Sequence, residues 1–198
     1  MREACGIILG GGRGERFGGP KAFAALPDGR TFLTACRDTL LAAGCAPIVA
    51  TLPAGEASPC LDGITLLTLP APDLDMFASL KVALTTAITD DSWQFAVVLP
   101  VDHPLVEATT VRTLREQHVR VAVPRFHGKR GHPVAIERGV AVMIAMGMHP
   151  PRATLRDMIH AAIVDVDVDD PGVVANCNTP AALAEAWECR CAGGTAVR

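Results

Sequence analysis

Tyrosine is absent from this 198-residue chain, and two tryptophans with six phenylalanines bring the aromatic content to only 4%. Nucleic-acid binders rely on stacking platforms and a basic field. A net charge of -3 supplies no such field, so the expected ligand is a small molecule rather than nucleic acid. Long apolar runs are missing as well. Val119 to Val123 and Val140 to Met146 fall far short of the roughly 20 residues a bilayer span requires. No basic-then-apolar leader precedes the first apolar run, so a cytoplasmic protein without a membrane partner is expected. The cysteines are Cys5, Cys36, Cys45, Cys60, Cys177, Cys189 and Cys191. Their odd number and the lack of a C-x-x-C pair exclude a zinc ribbon or redox dithiol and suggest reduced, mostly buried thiols.

What the chain does have is apolar bulk: 49% of its residues are hydrophobic, enough for one sizeable core and a single domain over residues 1–198. Cys5 to Leu9 is a short apolar run that stops in glycines and reads as a buried first strand. Pro47 to Leu52, Ile64 to Leu69, Phe95 to Leu99, Arg120 to Val123, Pro133 to Ile136 and Ile163 to Val168 are further strand-like runs. Between them, helical periodicity covers Phe32 to Ala43, Met76 to Ile88, Glu107 to His118, Arg138 to Met146 and Thr154 to Ala162, with a last helix from Pro180 to about Glu188. The polar turn Arg125 to Gly131 marks a hairpin that leaves the parallel pattern, and the tail from Arg190 to Arg198 is expected to fray. Alternating strands and helices predict an α/β fold: a doubly wound, three-layer α/β/α arrangement around a mostly parallel mixed sheet. Its ligand crevice lies beyond the strand carboxyl ends.

One such end opens into Leu9-Gly10-Gly11-Gly12-Arg13-Gly14-Glu15-Arg16-Phe17-Gly18-Gly19-Pro20-Lys21, in which six of thirteen residues are glycine. Glycine at this density lets backbone N–H groups wrap a polyphosphate. The dinucleotide G-x-G-x-x-G pattern fails, because Phe17 stands where its third glycine belongs. Walker A fails too, because Lys21 follows Pro20. Arg16 and Lys21 remain as cations spaced to converge on phosphates held by Gly10, Gly11, Gly12, Arg13 and Gly14.

This segment resembles the signature L-x-x-G-x-S/G-x-R-F/M-G-x-P-K of the MobA-like nucleotidyltransferases, a family that includes the molybdopterin guanylyl- and cytidylyltransferases. Leu9, Gly12, Gly14, Arg16, Phe17, Gly18, Pro20 and Lys21 fall on signature positions, and Gly10 replaces the usual alanine. Four further stations follow in family order. Asp102, in Leu99-Pro100-Val101-Asp102-His103-Pro104, is similar to the D-x-P aspartate that holds Mg2+. Ser79, in Asp75-Met76-Phe77-Ala78-Ser79-Leu80, stands where the family places a serine against the nucleobase or ribose, although Asp75 replaces a common glycine. Gly131-His132-Pro133-Val134 resembles an acceptor-side element of the cytidylyltransferase branch. Asn176-Cys177-Asn178-Thr179-Pro180 resembles the D/N-x-D/N-T-P element, which makes Asn176 either a metal ligand or a cap. The run Asp165, Asp167, Asp169 and Asp170 reads as alternation along a strand edge rather than a metal site.

The resemblance implies a nucleotide-diphospho-sugar transferase fold and an enzyme that moves a nucleotidyl group from a nucleoside triphosphate to a phosphorylated acceptor such as molybdopterin. Mg2+ on Asp102 would serve as cofactor, and Arg16 and Lys21 would stabilise the α-phosphoryl transition state. Gly11 matches the form associated with GTP users. The Arg16 to Lys21 spacing, Pro20 and Gly131-His132-Pro133 resemble the form associated with CTP users, which is placed first. A sugar- or polyol-phosphate nucleotidylyltransferase and a nucleotide-binding regulator without transfer activity are the alternatives.

Overall fold

Strands with no polar alternation must be covered on both faces, and that requirement organises the molecule. The computed structural model describes residues 3–12, 14, 17–56, 59–71, 74–117, 119–150 and 152–193. In chain order these hold β1 (Ala4–Leu9), α1 (Phe32–Ala42), β2 (Cys45–Leu52), β3 (Thr65–Thr68), α2 (Met76–Ala87), β4 (Phe95–Pro100), α3 (Ala108–Glu116), β5 (Val121–Phe126), β6 (Lys129–Arg130), β7 (Val134–Glu137), α4 (Arg138–Ala145), α5 (Leu155–Ile159), β8 (Ile163–Asp167) and α6 (Pro180–Gly193). The sheet order is β3-β2-β1-β4-β7-β5-β6, with β8 also paired to β5.

β1 and β4 are buried along their whole length and lie side by side in parallel register from Ala4 opposite Phe95 to Leu9 opposite Pro100. Their side chains alternate between two cores. Ala4, Ile8, Val97 and Leu99 pack with Phe32, Leu40 and Val111 from α1 and α3. Ile7, Leu9, Ala96 and Val98 pack with Leu80, Leu84, Val140 and Ile144 from α2 and α4. The expected three-layer α/β/α order is therefore present, with α1, α3 and α6 on one face and α2, α4 and α5 on the other. Helix starts follow local chemistry: the Asp75 carboxylate accepts from Ala78 N at the head of α2, and Thr154 and Asp157 form a reciprocal capping box at the head of α5.

The sheet departs from a parallel array where the Arg125 to Gly131 turn suggested it would. β5 continues to Phe126 and turns through His127-Gly128 into β6. β7 then inserts between β4 and β5, antiparallel to both. The helix expected over Thr154 to Ala162 is shorter than its periodicity implied: α5 ends at Ile159 and a 3-10 turn, His160–Ala162, leads into β8. The last helix runs on to Gly193, beyond Glu188, so the first part of the supposed tail is helical; residues 194–198 lie outside the described residues. Cys5, Cys36, Cys45 and Cys177 are buried and all seven thiols are free. Burial pushes Cys45 and Cys177 up to about 11. No helix among the described residues is long and apolar enough to cross a membrane.

The loop between β6 and β7 is held by two backbone bonds of 2.9 Å, from Gly131 N to Pro124 O in β5 and from His132 N to Val173 O in the 3-10 turn Pro171–Val173. A Cβ on Gly131 would lie 2.0 Å from Val173 O, whereas one on Gly139 in α4 would meet nothing within 4 Å. Gly131→Ala is therefore expected to cost about 2–3 kcal/mol by overpacking. Gly139→Ala is expected to stabilise by about 0.5–1 kcal/mol through helix propensity. Urea unfolding of the two variants checks the contrast, and equal midpoints would contradict it.

Candidate active site

At the carboxyl ends of β1 and β4 the backbone opens into a cavity of about 390 Å³, lined by Gly11, Gly12 and Gly14, by Lys21, Asp102 and Ser79, and by the apolar Leu74 and Met76. Three backbone bonds fix its mouth. Gly10 N donates to Thr51 O at 3.1 Å, Val101 N to Leu9 O at 3.0 Å, and Cys177 N to Asp102 O at 2.8 Å. The glycine segment doubles back at Gly14, whose φ of 63° belongs to the left-handed region that side chains disfavour. Gly14 O then accepts from both Phe17 N and Gly19 N, and the Phe17 ring locks edge-on to Phe32 at 5.5 Å. This folding delivers Lys21, at the start of a 3-10 turn anchored by the buried Ala22, to the cavity.

The Lys21 ammonium lies 3.2 Å from Asp102 Oδ2 and also donates to Asn178 Oδ1. Lys21 and Asp102 are only 19% and 18% exposed, so their attraction is less screened than that of a surface pair. Two oxygens from distant parts of the chain thus converge on one positive charge. Ser79 is buried in α2; its hydroxyl donates to Asp75 O at 2.9 Å while the residue lines the cavity wall.

A second, larger cavity of about 700 Å³ shares Leu9, Met76 and Pro100 with the first. Its floor is apolar, built from Leu80, Val98, Val123 and Val134 among others, and His132, Arg130, Arg152 and Arg156 also line it. The His132 ring lies 4.9 Å from that of His103, centroid to centroid. Nδ1 of each is buried without a hydrogen-bond partner among the described residues. Burial pushes His132 down to about 4; His103 adds to this and Asp102 opposes it. His103 is shifted down as well, by burial first.

The sequence-predicted residues are thus largely gathered. Leu9, Gly11, Gly12, Gly14, Lys21, Ser79 and Asp102 line one cavity. Gly10 is tied to Thr51 beside it, and His132 lines the adjoining cavity after Gly131. Arg13 and Arg16 lie outside the described residues. Asn176 is exposed and lines a separate hollow beside α6 with Glu107 and Glu185, while Asn178 meets Lys21. The second polar position of Asn-x-Asn-Thr-Pro was the available signal for Asn178; spacing could not choose between the two asparagines. Asp165 and Asp167 behave as a strand edge should, each gripped by two guanidinium nitrogens, from Arg130 at 2.5 and 3.1 Å and from Arg125 at 2.7 and 2.9 Å. Asp170 instead is buried and accepts from Glu107 N, Thr110 Oγ1 and Gly172 N, clasping the head of α3 to the 3-10 turn Pro171–Val173, whose Val173 O accepts from His132 N.

The family model of the MobA-like NTP transferase domain matches residues 6–165. The chain belongs to this family. Among curated proteins, the molybdenum cofactor guanylyltransferase of Desulfosudis oleivorans is 31% identical over 128 residues, an alignment spanning 63% of this chain and 60% of that protein. The chain is also similar to the Rv0371c protein of Mycobacterium tuberculosis, with a TM-score of 0.75, 25% identity and coverage of 94% of this chain and 98% of that one. The same mycobacterial protein has been solved with manganese, with a TM-score of 0.71, 24% identity and the same coverage. A nucleotidyl transferase from Methanothermobacter shares the fold at a TM-score of 0.76 and 17% identity, covering 96% of this chain and 99% of that one. The nucleotide-diphospho-sugar transferase fold expected from the MobA-like resemblance is therefore present.

His132 carries a consequence for pH. In the unfolded chain its ring takes a proton near the ordinary histidine value of 6.5; in the fold it stays neutral down to about 4. The fold favours the neutral ring, so this contribution is complete above the unfolded value and is lost as pH falls towards the folded one. The slope is about 1.4 kcal/mol per pH unit. Between about pH 7 and pH 4.5 the wild type is expected to lose on the order of 2 kcal/mol more than His132→Gln, measured by urea unfolding. Equal losses would show that His132 is not held neutral.

Proposed function

We propose that this MobA-like chain is a divalent-metal-dependent nucleotidyltransferase whose first cavity holds a nucleoside triphosphate and whose second holds a phosphorylated acceptor. The observation that carries the reading is the placement of Lys21 and Asp102, with Asn178 bonded to Lys21, beside the glycine segment in a cavity that shares walls with a second one. An acceptor in the second cavity would meet a triphosphate in the first across Leu9, Met76 and Pro100.

The residues fit a divalent cation, with Mg2+ the proposed ion. Asp102 Oδ2 and Asn178 Oδ1 already point at one positive charge, the Lys21 ammonium, which stands in for it. Among the described residues no group of three or more His, Cys, Asp or Glu could hold a metal. That suits Mg2+, which commonly takes one or two protein oxygens and completes its shell with phosphates and water. Bound there, the ion would neutralise charge on the triphosphate. Lys21 moves from the carboxylate to the phosphates, where with Arg16 it stabilises charge on the α-phosphoryl group as it is attacked. The acceptor phosphate oxygen forms the new bond to the α-phosphorus, and the bond to the β-phosphate oxygen breaks, releasing pyrophosphate. A phosphate nucleophile is anionic at neutral pH, so the chain needs no general base.

Leu9, Leu74 and Met76 would flank the base, with Ser79 on the wall. The sequence signals place CTP ahead of GTP, whereas the curated relative is named as a guanylyltransferase acting on the molybdenum cofactor. That name supports a molybdopterin-type acceptor. Lys21→Ala and Asp102→Ala are each expected to lower pyrophosphate release by at least about a hundredfold while remaining folded; near-normal turnover in either would remove these roles. A thermal-shift series of CTP, GTP, ATP, UTP and UDP-sugars with Mg2+ ranks the bases, because the preferred ligand raises stability by mass action. Stabilisation by a UDP-sugar alone would overturn the nucleotidyl-transfer reading.

A further inference from the structure

We propose that Arg152, assisted by Arg156, binds the anionic group of the acceptor in the second cavity, and that the acceptor lays an apolar body over the floor next to it. This rests on the reading of that cavity as the acceptor's.

The charges lining the cavity are Asp75, Arg130, Arg152 and Arg156. Two of them are already engaged. Asp75 caps α2 by accepting from Ala78 N at 2.7 Å, and Arg130 is held by both oxygens of Asp165. His132 is kept neutral by burial. Arg152 makes no hydrogen bond or ion pair with the described residues, and the other arginine on the lining without a side-chain partner among them is Arg156, four residues on, in α5. An open cavity whose one acid is committed and whose uncommitted charges are arginines selects for an anion. The guanidinium fork matches phosphate or carboxylate geometry.

The backbone under Arg152 supplies an independent reason. Its φ is 63°, in the region glycine favours, and among the described non-glycine residues only His127, in the tight β5–β6 turn, shares a positive φ. Glycine would relieve position 152, so an arginine there keeps a side chain at a conformational cost. The volume of about 700 Å³ lies in the range of small-molecule sites, and the floor is apolar, with Val98, Val123, Val134 and Ile163 among its residues. A bare anion would leave that floor uncovered. An aryl or similarly apolar phosphate would occupy both parts.

The probe is 1-naphthyl phosphate, with 1-naphthol as its neutral body and inorganic phosphate as its bare charge. Calorimetric titration of the full chain is expected to show the naphthyl phosphate binding more tightly than either fragment. Arg152→Gly should weaken it by about tenfold or more while unfolding at the same or a higher temperature than wild type. Arg152→Lys should retain part of the affinity. Arg125→Ala, which removes a guanidinium paired outside the cavity, should change affinity less than about twofold. Unchanged affinity in Arg152→Gly overturns the proposal, as does naphthyl phosphate binding no tighter than naphthol. Displacement of the probe by CTP or GTP in the absence of metal also overturns it, by placing the probe in the first cavity. Nucleoside triphosphate thermal shifts are recorded on the same proteins. If wild type responds to none, the nucleotidyl-transfer reading fails, while the naphthyl phosphate titration separately decides the role of Arg152.

Discussion

The pairing of β1 with β4 sets the position of everything else at the site. Both strands are buried on two faces, so neither can slip by one residue without exchanging its side chains between the two cores. That register leaves Leu9 and Pro100 opposite each other, with a glycine segment leaving one strand end and Asp102 leaving the other. The chemistry-bearing residues need no long-range adjustment: Lys21 arrives on a turn closed by Gly14 and anchored by Phe17, and Asp102 Oδ2 lies 3.2 Å from its ammonium.

On the other side of β4 an antiparallel insertion serves the same end. β7 occupies the slot that a continued parallel array would have given to another crossover strand, so the loop ahead of it, Gly131-His132-Pro133, arrives at the cleft from the opposite direction. Backbone bonds seat that loop on β5 and on the turn after β8, and Asp170 ties the turn to the start of α3. The cost is a buried polar pair: two imidazoles pack ring to ring, and their Nδ1 atoms have no hydrogen-bond partner among the described residues. Such atoms are tolerated where a ligand completes them, and His132 lines a cavity.

Most of the fold was legible because its signals are local. Phe95 to Leu99 has no polar alternation, so it had to be interior; Pro and Gly bound the two strands between α1 and α2; and the Arg125 to Gly131 turn marked the antiparallel excursion. What could not be read was which neighbours that excursion acquires, since β7 pairs with β4 across the 33 residues from 101 to 133, for reasons of burial rather than local pattern. At the site, Lys21 and Asp102 stood out because glycine density and a strand-end carboxylate are visible in one dimension. Arg152 did not, because its significance lies in a backbone angle and in the absence of a partner among the described residues, neither of which has a sequence signature.

The two asparagines after the last 3-10 turn show where spacing stops and geometry begins. Either side chain in Asn176-Cys177-Asn178 offers the same neutral oxygen. Cys177 decides between them: its thiol is buried and its N–H is bonded to Asp102 O, so the residues on either side diverge, Asn176 to an exposed hollow beside α6 and Asn178 to the Lys21 ammonium. A neutral amide there has a physical advantage over a second carboxylate. Lys21 would be held more tightly between two anions, and its transfer to an incoming triphosphate would then carry a larger electrostatic cost. In the proposed role, with one charge and one dipole as its partners, Lys21 would be held in place before a nucleotide arrives and could still be drawn away by it.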